Sequence, residues 1–114
     1  MTDEISSSGH PGPITPRERK MYEQEYKHGA QLFQKALKQY VDSDNPYQQH
    51  EFQQVMEKAM RVLNETASEL NRKALLEQND KIQKDYATFN NKPEDSLAFK
   101  KLNEDLENAK KFLA

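Results

Sequence analysis

The stretch YEQEYKHGAQLFQKALKQYVDSDNP, residues 22–46, decides how this chain is built. Tyr22, Tyr26, Ala30, Phe33, Leu37 and Tyr40 recur at steps of three and four, the spacing of one face of an α-helix. The helix should stop near Val41, because Asp42-Ser43-Asp44-Asn45-Pro46 is a run of capping and turn residues with Asn45 set ahead of a first-turn proline. Gly29 lies beside the stripe and costs about 1 kcal/mol relative to alanine, a loss that a close helix contact would offset. Upstream, Thr15 is placed to cap this helix, Pro16 suits its first position, and Glu18 completes a capping box.

Downstream, Phe52, Met56, Ala59, Leu63, Ala67, Leu70 and Ala74 form a second stripe, with an average step closer to straight-helix packing than to a strict heptad seam. The pattern pauses over Glu77-Gln78-Asn79-Asp80-Lys81 and restarts at Ile82, Tyr86 and Phe89. Neither glycine nor proline interrupts residues 47–89, so one long helix of about 65 Å is expected, with a break near Asn79-Asp80 as the alternative. Asn90-Asn91-Lys92-Pro93 is the next turn, and Glu94, Asp95 and Ser96 suit the positive end of a following helix. That helix takes its stripe from Ala98 or Phe99, Leu102, Leu106, Ala109 and Leu113. The fold expected is all-α: an antiparallel three-helix bundle, or an extended helical hairpin plus a C-terminal helix.

Residues 1–15 hold Ser6, Ser7, Ser8, Gly9 and Gly12 and cannot bury enough apolar surface to offset their chain entropy. They read as a disordered tail, and residues 16–114 as a single helical domain. Pro13-Ile14-Thr15-Pro16 has PxxP spacing, but the helix-start reading of Thr15 and Pro16 accounts for it better. Tyr26, Ala30, Phe33, Ala36 and Leu37, followed by Asp44, Asn45 and Pro46, locally resemble the second helix of a tetratricopeptide repeat. No period of about 34 residues follows, so no repeat array and no family are assigned.

The chain has 114 residues, 17 basic and 19 acidic, for a formal net charge of −2. That balance provides no broad positive field for a phosphate backbone. Apolar residues make up only 34%, and there is no cysteine for a disulfide, a thiolate metal site or a thiol nucleophile. No apolar run approaches the roughly 20 residues of a membrane span. The acidic N-terminus lacks the basic start and apolar stretch of a secretory signal, which points to the cytoplasm. Asn64-Glu65-Thr66 has the form of a glycosylation acceptor but falls inside a helical pattern and reads as ordinary helix.

His10, His28 and His50 are too far apart in sequence for a local zinc motif. Glu25 and His28 form one Glu-x-x-His pair where a di-iron bundle needs two. With no phosphate loop and no nucleophile motif, neither enzymatic activity nor a cofactor, metal or small-molecule substrate is expected. The carboxylates, as with Glu69 and Lys73, read as members of solvated ion pairs.

These features favour a bacterial-type, cytoplasmic interaction module: an adaptor, a secretion-chaperone-like protein or a regulator. It would bind a partner helix or form a homo-oligomer, with Met21, Met56 and Met60 as candidate groove residues because thioethers adapt to varied surfaces. The alternative is a nucleic-acid-associated regulator using Arg17, Arg19, Lys20, Lys27, Lys35 and Lys38, cations interleaved with Tyr22, Tyr26, Phe33 and Tyr40.

Overall fold

Four helices account for most of the described residues, 14–113, in a computed structural model. They are α1 (Pro16–Asp42), α2 (Pro46–Leu70), α3 (Lys73–Asn91) and α4 (Ser96–Lys111). The expected disordered tail lies mostly outside the described residues. Its last two members belong to the bundle, since Ile14 packs against the core and Thr15 caps α1.

The helix starts follow from local chemistry. Thr15 Oγ1 accepts from Glu18 N at 3.1 Å while Glu18 Oε1 accepts from Thr15 N at 2.9 Å, the reciprocal pair of a capping box. Asn45 Oδ1 accepts from the backbone N–H groups of Tyr47 and Gln48, with Pro46 in the first turn. Asp95 Oδ1 accepts from Leu97 N at 2.9 Å to start α4.

The expected single helix over residues 47–89 is instead two, and the break lies at Asn71 rather than Asn79. Asn71 adopts φ 52° and ψ 41°, the left-handed conformation that asparagine tolerates best among side-chain-bearing residues, and its N–H closes onto the Ala67 carbonyl at 2.9 Å. The buried stripe jumps five residues from Leu70 to Leu75, and Ala74, which had bridged that gap, is exposed. Asn79 is buried and continues the α3 stripe through Leu75, Ile82, Tyr86 and Phe89, so the apparent pause is a polar residue in a core position.

Each helix packs against the two beside it in an up-down-up-down arrangement with extents of 51 × 26 × 20 Å. Across the central diagonal, α1 and α3 meet through rings: Phe33 stands edge-on to Tyr86 at 5.3 Å and Tyr40 to Phe89 at 5.7 Å. A polar chain crosses the same core. Tyr26 Oη donates to Asn79 Oδ1 at 3.0 Å, Asn79 Nδ2 donates to Asn64 Oδ1, and Gln83 Nε2 donates to Asn64 Oδ1 at 2.7 Å. Asn64 is thus engaged between helices. Burial pushes the Tyr26 phenol well above its ordinary pKa, which keeps it a donor.

Gly29 sets how closely α1 and α2 approach. A Cβ there would come within 3.1 Å of Val62 Cγ1 and 3.4 Å of Leu63 Cδ2, so its absence admits the contact that offsets glycine's helix cost.

Candidate functional site

Beside that close approach, α1 and α2 line a groove of about 660 Å³. Val62 and Thr66 of α2 line it together with Met21 of α1, which is 46% exposed. Gln24, Glu25 and His28 border it from α1 and Glu65 from α2; neither lysine nor arginine lines it. The negative character extends beyond the lining. The Tyr22 phenol beside it is pushed up first by burial and then by the charges of Glu69, Glu18 and Glu25. The result is a short apolar trough among carboxylates.

A second cavity, of about 490 Å³, lies between α1 and α4 beside Phe99 and Asn103. It is bridged by polar contacts. Gln34 Nε2 donates to Glu107 Oε2 at 2.7 Å and to Asn103 Oδ1 at 3.2 Å, and Lys110 Nζ lies 2.8 Å from Glu107 Oε2. The bonds from Lys110 and then Gln34 hold the Glu107 carboxyl below its usual range. Gln34, Asn103 and Glu107 are already engaged with one another, which leaves the α1–α2 groove as the better binding feature.

The three methionines offered as groove candidates are separated. Met21 lines the groove, but Met56 is fully buried and Met60 nearly so, both within the core. Unbranched thioethers fill irregular core gaps as readily as they line grooves, and sequence spacing does not distinguish the two roles. Val62, Glu65 and Thr66 complete the groove without having been singled out. The signal available for them was Gly29, which marks where a second helix comes close and hence where a trough flanks the contact.

The basic residues of α1 are placed differently from the aromatic ones. Arg17, Arg19, Lys20, Lys35 and Lys38 are exposed, Lys38 Nζ lies 3.4 Å from Asp42 Oδ2, and Lys27 Nζ donates to the Leu113 carbonyl at 3.5 Å. Tyr26 and Phe33 are wholly buried, so those cations and these rings do not form one stacking surface. Among the described residues, no group of three histidine, aspartate or glutamate side chains could hold a metal ion, and no helix is long and apolar enough to cross a membrane. No protein-family model, curated protein or solved structure matches the chain.

Proposed function

We propose that this chain is a non-enzymatic protein-interaction module whose α1–α2 groove receives a basic amphipathic helix from a partner protein. The observation that carries this reading is the pairing of an apolar trough, lined by exposed Met21 and half-buried Val62, with the bordering carboxylates Glu25 and Glu65. A helix laid along the trough would set apolar anchors at i and i+3 or i+4 into it and bring flanking lysines or arginines to the acidic border. The apolar contacts supply most of the affinity, and the charges fix orientation and favour basic partners over acidic ones. The nucleic-acid alternative relies on the cations of α1 without Tyr26 and Phe33, which are buried in the core, and the groove reading is preferred for that reason.

Calorimetric titration with a synthetic leucine–lysine amphipathic helical peptide tests the proposal. Met21→Asp and Glu65→Lys change exposed positions, so the helical circular dichroism should be retained. Each should weaken peptide binding by about tenfold or more, equivalent to about 1.4 kcal/mol. Undiminished binding by both variants would refute the groove. Tight oligonucleotide binding that falls steeply with salt would favour the regulator reading instead.

A further inference from the structure

Asp105 occupies the packed face of α4 between Leu102 and Leu106 and is only 2% exposed. A carboxylate in such a place is costly unless its oxygens are matched. Its Oδ1 lies 3.7 Å from Lys81 Nζ on α3. Its Oδ2 is buried without a hydrogen-bond partner, and so is Oδ2 of Asp85, one turn along α3 from Lys81. The two carboxyl groups are within hydrogen-bonding reach of each other. Ionised carboxylates only accept, so as a doubly charged pair they would repel and leave both oxygens orphaned; one proton makes a donor of one and satisfies both.

We infer that Asp85 and Asp105 hold a single proton between them and act as a pH-sensitive latch between α3 and α4, closed while the proton is held and loosened when it leaves. A proton suits the site better than a metal ion, because among the described residues no third carboxylate or histidine joins the pair. Burial, the hydrogen bond with Asp85 and the Asp85 charge push the Asp105 carboxyl up to about 7, against the opposing pull of Lys81 and Lys101. From α1, the charged groups that meet α4 are Lys27 at Leu113 and Lys35, Lys38 and Asp42 along the second cavity. Helix α2 lies diagonally opposite and does not pack on α4.

The sign follows from linkage. An unfolded aspartate titrates near ~3.9, so between that value and about 7 the folded chain binds more protons than the unfolded one. Stability therefore declines as pH rises through this interval and levels off above it.

Denaturant unfolding of the full chain from about pH 5 to about pH 8.5, compared with Asp105→Asn, tests the latch. The wild-type midpoint should fall with rising pH. The variant, whose amide donates to Asp85 at every pH, should show no such fall and should exceed wild type at the alkaline end. All other ionisable groups, the three histidines included, are common to both proteins, so the difference isolates the pair. Carboxyl carbon NMR of wild type gives a second readout, independent of whether the variant folds, and Asp105 should titrate near 7. Equal pH slopes in the two proteins, an Asp105 midpoint near ~4, or restoration of the alkaline midpoint by calcium or magnesium would overturn the inference.

Discussion

Replacing Phe33 by alanine is expected to remove about 3–5 kcal/mol of stability, the largest effect of any single side chain considered. Phe33 is fully buried and stands edge-on to Tyr86 at 5.3 Å, on the diagonal where α1 and α3 meet through side chains alone. Because ring contacts rather than close backbones fill that diagonal, truncation leaves a void that the helices cannot close without breaking their contacts with α2 and α4. A domain of this size has a total stability of only about 5–15 kcal/mol, so the variant should be marginally folded at best. Urea unfolding measures the loss, and a value below about 1 kcal/mol would show that the core collapses into the space.

The second large effect is expected at Asn79. Its amide accepts from Tyr26 and donates to Asn64, so Asn79→Ala strands a buried hydroxyl and opens a cavity together, at a cost of about 2–4 kcal/mol. The double variant Tyr26→Phe with Asn79→Leu removes both ends of the Tyr26 bond while keeping the bulk. It should therefore recover much of the loss, because an unmatched polar group costs more than an absent one. If the double variant is no more stable than Asn79→Ala, the network does not behave as a coupled unit.

This network also explains what the sequence revealed and what it concealed. Cap signatures are local, and Thr15 with Glu18, Asn45 with Pro46, and Asp95 all start helices where their short-range hydrogen-bonding chemistry places them. The all-α bundle and the burial of Phe33 and Leu37 were legible from the α1 stripe, whose period is unbroken. The division between α2 and α3 was not, for two reasons. Its boundary is one left-handed asparagine with no adjacent glycine or proline, and Arg72 makes no side-chain cap to announce α3. A polar residue in the α3 stripe, Asn79, drew the alternative of a break to a place eight residues beyond Asn71, where the chain does break.

The candidate site was legible only in part for a related reason. Met21 stood out for its adaptable thioether, but Val62 is a groove residue beside the close approach of α2 at Gly29, which its own sequence context does not announce. Asp85 and Asp105 were hidden among carboxylates that form ordinary exposed pairs, such as Asp80 with Lys84 at 3.0 Å. What separates Asp105 from those is its position three residues after Leu102 and one before Leu106, on the buried face of α4. Polar residues inside an apolar period were the informative signal in both α3 and α4.

The claim that the α1–α2 groove is the binding surface is tested most directly by methyl and amide NMR of the labelled chain during titration with the leucine–lysine helical peptide. The account predicts saturable shifts concentrated at Met21, Gln24, Val62, Glu65 and Thr66, with the core signals of Phe33 and Met56 nearly unmoved. Shifts confined instead to Arg17, Lys20, Lys35 and Lys38 on adding a single-stranded oligonucleotide, with Met21 and Val62 silent towards the peptide, would contradict it.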